Sequence, residues 1–386
     1  MSSTAAAPMI GSAAWANAFL SAFLDAGYTH AHPPILQPAE PFLDLSGEGI
    51  RRSLYLTSDP GGDELCLRPD LTIPVAREYL ASKKAGEVAG YCYLGPVFRY
   101  RSDMPREFLQ AGVESFGRED RAAADAEMLA LACEATAAVG VSDVEIRTGD
   151  VALFVALIDA LDLLPVWKRR LLKDFNRKRA LAQDLENLNP GRGHGPGEYE
   201  GVLAALAGSD RKAALALVTD LMSIAGATAV GGRSVAEIAD RFLEQSTLKS
   251  GALPPSALQS IQRFLAISGT PAEALKALRA LAADTGLKLG AAIDQFEERT
   301  RIMEARGIDI SKIQFSTSFG RGLDYYTGFE FELVGKGNGA EPLMAGGRYD
   351  ELMNRLGAPR AIPAVGFSVW IEAFAEATPA SGSGSV

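Results

Sequence analysis

The run Arg321 to Glu332, Arg-Gly-Leu-Asp-Tyr-Tyr-Thr-Gly-Phe-Glu-Phe-Glu, constrains the fold more than any other stretch of the chain. It follows a strand-like segment, Ile313 to Phe319. It ends in alternation, with Phe329, Phe331 and Leu333 on one side and Glu330 and Glu332 on the other. Successive side chains of a strand point to opposite faces, so this pattern predicts a strand buried on one face. Gly320, Gly322 and Gly328 lie between the two segments and let the backbone bend and approach a neighbour closely. Arg321, Asp324, Tyr325 and Tyr326 crowd that bend. Held by rigid elements, such a cluster suits a small zwitterion. It reads equally as a hairpin with ordinary tyrosines, since polar loops only tend toward function.

A chain of 386 residues has room for two or three domains. At 47% hydrophobic and 22% charged it has an ordinary globular composition. No apolar run reaches membrane-spanning length, and the first eight residues lack a basic start and an apolar core, so neither a membrane nor a secretory signal is expected. Cys66, Cys92 and Cys133 have neither metal-site nor disulfide-framework spacing and read as reduced, buried thiols of a cytoplasmic protein. His30 and His32 face the same way in an expected strand, but with His194 they are too few for a histidine-rich metal site. No metal and no cofactor is expected. The net charge of −10 argues mildly against a nucleic-acid partner.

In chain order, a helix is predicted over Trp15 to Ala26, and extended chain over His32 to Pro38, where residues before proline avoid the helical region. Leu54 to Thr57 and Glu64 to Leu67 form a hairpin around Asp59 to Asp63. The segment Leu67 to Pro74 places Asp70 and Thr72 two apart ahead of a helix from Val75 to Lys84. Tyr91 to Arg101 and Glu107 to Phe116 read as antiparallel strands. On the second, Phe108, Gln110, Gly112, Glu114 and Phe116 share a face, so an amide and a carboxylate flank a glycine recess; a solvated strand face is the plain alternative. Helices from Ala122 to Ala138 and Val151 to Leu161 enclose a strand from Val144 to Arg147.

Strand patterns then nearly vanish. Helices are expected at Trp167 to Leu185, Tyr199 to Leu206, Asp210 to Met222, Val235 to Glu244, Ser256 to Ile267, Pro271 to Ala283 and Leu289 to Ala305. Ser234 with Glu237, and Thr270 with Glu273, read as capping boxes. Lys168, Arg169, Arg170, Lys173, Arg177, Lys178 and Arg179 read as one solvated basic helix face, with nucleic-acid binding the lesser reading. The expectation is a helical insertion at 165–310 interrupting one mixed domain, 1–164 and 311–386. After it, Leu343 to Asp350 reads as a glycine bend offering Arg348 and Tyr349, a turn before a helix at 350–356, and Ala364 to Phe374 reads as an apolar strand entering a helix. The small residues of both termini read as mobile.

Together these runs, over 10–160 and 310–376, resemble the core of a class II aminoacyl-tRNA synthetase, and within that class histidyl-tRNA synthetase. Gly27 to Pro38 looks like the dimer-forming first motif. Phe98-Arg99 with Phe108 to Glu114 looks like the second, and Gly366 to Phe374 like the third. Arg321 to Gly328 and Ala345 to Asp350 look like the histidine-specific signatures. The resemblance implies an α+β fold with a six- or seven-stranded, largely antiparallel sheet flanked by helices. It implies that Asp70, Thr72 and Gln110 face the ammonium of L-histidine and Arg321 its carboxylate. Glu114 and Tyr325 would bracket the ring, with Tyr326 and Arg99 completing the site.

The departures carry as much. Where the third motif places an ATP-binding arginine after Gly-x-Glu, this chain has Trp370-Ile371-Glu372-Ala373. Where the second motif has Arg-x-Glu, it has Arg99-Tyr100-Arg101, and the ammonium position holds Asp70 in place of glutamate. Losing one electrostatic donor at a developing charge costs about 10²–10³ in rate, so adenylation is expected to be lost and no residue is expected to be catalytic. The residues that would hold an anticodon-binding domain are missing after Phe374, so no tRNA partner is expected. A synthetase core that keeps its amino-acid pocket and loses ATP and tRNA resembles the regulatory subunits of ATP phosphoribosyltransferase. That resemblance implies a homodimer that partners a short-form catalytic subunit in the first step of histidine biosynthesis and carries histidine feedback. The alternatives are an active histidine-activating ligase or truncated histidyl-tRNA synthetase-like enzyme that modifies something other than tRNA, and a plain histidine-binding dimer.

Overall fold

The computed structural model describes residues 10–45, 50–102, 105–141, 143–187, 253–323, 325–335 and 342–377, with Lys212 and Ala216. They fall into two compact units, one formed by Met1–Ala156 with Phe264–Val386 and the other by Leu157–Arg263. The described strands are β1 (Thr29–His30), β2 (Leu36–Pro38), β3 (Leu56–Ser58), β4 (Glu64–Leu67), β5 (Ala89–Phe98) and β6 (Glu107–Phe116), then β7 (Val144–Asp150), β8 (Ser268–Gly269), β9 (Ile313–Ser316), β10 (Phe329–Gly335), β11 (Met344–Arg348) and β12 (Ala364–Trp370). Nine form one sheet in the order β1-β5-β6-β12-β11-β10-β7-β9-β8, and β2-β4-β3 form a second.

The long strands β5-β6-β12-β11-β10-β7 are antiparallel throughout. This block is the sheet the sequence predicts. The additions are short: β1 runs parallel to β5 and β9 parallel to β7, and β8 is two residues long. The expected hairpin is β3 with β4, closed where the Asp59 carboxylate accepts the Asp63 amide at 3.0 Å.

Helices α1 (Ile10–Asp25), α2 (Glu40–Leu45), α3 (Thr72–Ala81) and α4 (Arg121–Ala138) precede the second unit, and α5 (Val151–Ala160) runs into it. That unit holds α6 (Pro165–Asp174) and α7 (Lys178–Asn187), and α8 (Pro255–Leu265) leads out of it. The first unit resumes with α9 (Pro271–Thr285), α10 (Gly290–Ala305), α11 (Asp350–Arg355) and α12 (Ile371–Ala377). One face of the large sheet packs Val113, Phe331, Val365, Phe367 and Val369 against Phe19 and Phe23 of α1, Leu129 of α4 and Met303 of α10. A second core on the other side joins Tyr93, Phe108 and Phe116 to Phe42, Tyr79 and Leu352. Sheet residues alternate between these two cores because a strand has a side-chain period of two.

Five expectations change. Residues 264–310 lie with the first unit and not with a separate insertion. Several contacts hold them there: Ser268 and Gly269 pair with β9, Met303 packs in the sheet core, and Arg299 of α10 reaches Asp150 at 2.6 Å and Asp125 of α4 at 3.4 Å. The helix expected over Trp167 to Leu185 breaks at 175–177, and α7 folds back through the contact between Arg170 and Asp184. Its basic residues are therefore not one solvated face, since Arg177 also lies 3.8 Å from Asp174. The helix after Asp70 starts at Thr72, with Pro74 in the first turn, where an amide proton has no intrahelical acceptor. The glycine bend at 344–348 is the extended strand β11.

The Thr270–Glu273 capping box is present, each side chain bonding the other's backbone. The segments 199–206 and 235–244, Ser234, His194, Asp324 and both terminal segments lie outside the described residues, as does 210–222 apart from Lys212 and Ala216.

Candidate functional site

The sheet face turned away from α1 and α10 is cleared by small residues. On β6 it carries Gln110, Gly112 and Glu114. Their cross-strand partners on β12 are Trp370, Ser368 and Gly366. Ala345 of β11 stands beside Ser368, and Tyr93 of β5 beside Gly112. A Cβ at Gly366 would strike the Glu114 carboxylate, and one at Gly112 the Tyr93 hydroxyl. These two glycines therefore make room for their neighbours' polar ends.

Over this floor lies a cavity of about 140 Å³. It is close to the ~150 Å³ that takes a benzene ring. Gln110, Ala345, Ser368 and Trp370 form the floor. Asp70 and Thr72 come from the start of α3, and Arg99 from the end of β5. Arg321, Leu323, Tyr325 and Tyr326 come from the bend before β10, and Ile50 closes one side. Seven of the eight residues predicted to hold histidine thus line one cavity. Glu114, the eighth, lies beneath it, fully buried. Its carboxylate accepts the Tyr349 hydroxyl and, at 3.2 Å, the Tyr93 hydroxyl.

The polar groups of the cavity are prepared but not spent. One Asp70 oxygen accepts the Ile73 amide at 3.2 Å, while the other is buried with no hydrogen-bond partner. Burial pushes the Asp70 carboxyl above its ordinary value, and the nearby Arg99 guanidinium pulls it back. Arg99 donates to the Pro69 carbonyl at 2.7 Å, and Gln110 accepts the Leu71 amide at 3.0 Å, so both hold the Asp70 loop in place. The Arg321 guanidinium rests over the Trp370 ring, 5.3 Å from its centroid. Among the described residues no carboxylate lies within ion-pair distance of it. A buried acceptor without a donor, and a cation that none of the described carboxylates pairs with, match along one cavity a ligand carrying an ammonium and a carboxylate.

Tyr349 and Ser368 support the site; sequence reasoning passed over Ser368, although strand alternation places it on the same face as Gly366. Arg348 does not enter the cavity; it is held by Asp125 at 2.6 Å and Asp350 at 3.0 Å. The His30 and His32 rings lie 3.9 Å apart, tilted by 48°, and no group of three or more His, Cys, Asp or Glu residues fit to hold a metal occurs among the described residues. Where the second motif departs, the Arg101 and Arg99 guanidiniums lie over the Phe108 ring, 4.9 Å and 5.7 Å from its centroid.

Glu330 is the residue that sequence reasoning misplaced. It was expected on the open face of a half-buried strand, yet it is fully buried, because β10 is covered on both sides. One of its oxygens accepts the Arg321 amide at 3.0 Å and the other has no partner. Burial pushes Glu330 up to about 8, and Glu114 likewise to about 8. A carboxyl raised in the folded state holds its proton there and loses it when unfolded. Its stabilising contribution is complete below the unfolded value, about 4.3, and is lost as pH rises through about 8. Glu330→Gln is therefore expected to be more stable than the parent at pH 9 and to shrink the difference in Tm between pH 5 and pH 9. An unchanged pH profile for the variant would contradict this.

The chain matches the family model for histidyl-tRNA synthetase over residues 12–231 and 218–374. An ATP phosphoribosyltransferase regulatory subunit of Mesorhizobium japonicum is 43% identical over 359 residues, 91% of this chain and 95% of that protein. One of Brucella canis is 40% identical over 341 residues, 88% of this chain and 90% of the relative. Among solved structures, an ATP phosphoribosyltransferase regulatory subunit/histidyl-tRNA synthetase from Bacillus halodurans has a TM-score of 0.64 at 23% identity, covering 96% of this chain and 79% of that one. A histidine–tRNA ligase subunit from Alicyclobacillus acidocaldarius has a TM-score of 0.55 at 26% identity, covering 94% and 90%. With its synthetase-like sheet and these relatives along nearly its whole length, the chain belongs to the family of ATP phosphoribosyltransferase regulatory subunits.

Proposed function

We propose that this regulatory subunit binds L-histidine in the cavity over β6 and β12, and that the bound amino acid sets the activity of a short-form ATP phosphoribosyltransferase catalytic subunit. The unpartnered Asp70 oxygen carries the ligand reading, because a buried acceptor without a donor costs free energy until a ligand supplies one. The ligand's ammonium pairs with Asp70, beside Thr72 and Gln110, and its carboxylate with Arg321. Its ring lies near Tyr325 and Tyr326 and above Glu114, which is protonated near neutral pH and able to donate to an imidazole nitrogen.

As a member of this family the chain is the non-catalytic subunit of an enzyme complex. The departures support this. Ala373 stands where the synthetases bind ATP through arginine, and Arg101 covers Phe108 with a cation where they carry a carboxylate. The chain works as a homodimer through its synthetase-like core, in the cytoplasm and without tRNA. Among the described residues no helix is long and apolar enough to cross a membrane. Feedback requires that histidine favour one state of the assembly, since a ligand with equal affinity for both shifts nothing.

The test is reconstitution. The purified catalytic subunit should turn over only when this chain is added, and L-histidine should suppress that activity. Histidine-dependent ATP–pyrophosphate exchange by this chain alone should stay at background. Robust exchange would establish the rival reading, an active histidine-activating ligase.

A further inference from the structure

The floor of the cavity works as a ruler. On β6 the facing residues run Glu114, Gly112, Gln110, and on β12 they run Gly366, Ser368, Trp370. From the Glu114 row to the Trp370 row is four residues of strand, about 13 Å at the usual rise. The space over the two glycines is taken by the Glu114 carboxylate and the Tyr93 hydroxyl, and the small Ser368 leaves the middle of the floor low. The last row is filled by an indole, and the Arg321 guanidinium lies against that indole. The cation that would meet a ligand's carboxylate is therefore backed by the bulkiest side chain on the floor. Trp370 is held there by its backbone, which ends β12 and donates to the Leu343 carbonyl at 3.0 Å.

We propose that Trp370 is a specificity-determining residue: with Arg321 it closes the carboxylate end of the cavity, so the site takes the free amino acid and excludes carboxyl-extended derivatives. This rests on the histidine reading of the same cavity. The excluded class is esters and acyl sulfamates of the amino acid, which extend beyond the carboxyl oxygens; a primary amide adds no length and only gives up the negative charge. Two effects separate here. Any neutral derivative loses its attraction to Arg321 whatever stands behind it, whereas an acyl sulfamate keeps a negative charge and is rejected by the indole alone. An acyl sulfamate is therefore the diagnostic probe.

The experiment is calorimetric titration of the full chain with L-histidine, L-histidinamide and an N-acyl sulfamate of L-histidine. The parent chain should bind L-histidine at least a hundredfold more tightly than either derivative. Trp370→Gly should recover binding of the acyl sulfamate by tenfold or more while changing L-histidine affinity less, and Trp370→Phe should lie between. L-Histidinamide should gain little in either variant. Equal binding of L-histidine and the acyl sulfamate by the parent overturns the proposal without any variant being folded. If the parent and both folded variants bind L-histidine but none gains the acyl sulfamate, the inference about Trp370 fails and the histidine reading stands. If the parent binds no L-histidine, both fail.

Discussion

Asp70→Asn is expected to weaken L-histidine binding by roughly 10- to 150-fold, the value of a hydrogen bond to a charged group. Asparagine keeps the side-chain carbonyl that accepts the Ile73 amide, so the start of α3 survives, while the free acceptor oxygen becomes an uncharged NH2 donor. The buried, unpartnered oxygen makes Asp70 the strongest candidate for this effect, since the ligand's ammonium meets no competing donor there. Burial also raises the Asp70 carboxyl in the empty chain. A cationic ligand stabilises the ionised form, so parent affinity should fall with acidification more steeply than that of the variant. Calorimetric titration at several pH values reads both. A dissociation constant within threefold of the parent's would remove Asp70 from the binding site.

The largest effect on stability is expected at Arg299. Its guanidinium is 3% exposed and lies 2.6 Å from Asp150 and 3.4 Å from Asp125, themselves almost fully buried. The ring of Phe329 also lies 4.5 Å from the guanidinium carbon. Breaking a buried pair by removing one partner leaves an uncompensated charge and costs about 3–5 kcal/mol. Arg299→Met should cost that much, read as a lower urea midpoint for loss of the first unit. Arg348 still faces Asp125 in the variant, so Asp150 is left the more exposed to the loss. A cost below about 1 kcal/mol would show that the pair contributes specificity of packing instead of stability.

Arg299 also shows where sequence reasoning stops. The helical period of Leu289 to Ala305 was plain, and α10 lies where it was expected. Which unit that helix joins depends on partners 149 and 174 residues away, and no periodicity encodes those. The lining of the candidate site was more legible, because its residues are grouped locally: Gln110 and Glu114 share a face by strand alternation, and the run at 321–328 places an arginine and two tyrosines at one bend. Glu330 was misread for the opposite reason. Alternation separates the two faces of β10 but does not say that the polar one is covered as well. The break at 175–177 was hidden because a basic amphipathic pattern continues through it, and only the hold of Arg170 on Asp184 reveals the turn.

The cleared floor also governs how such a chain can diverge through descent. Gly112 and Gly366 are absent from the cavity wall, yet one added methyl at either would displace Tyr93 or Glu114 and reshape the chamber from behind. Lineages can therefore alter rim residues gradually, whereas these hidden positions switch the chamber between usable and shut in a single mutational step.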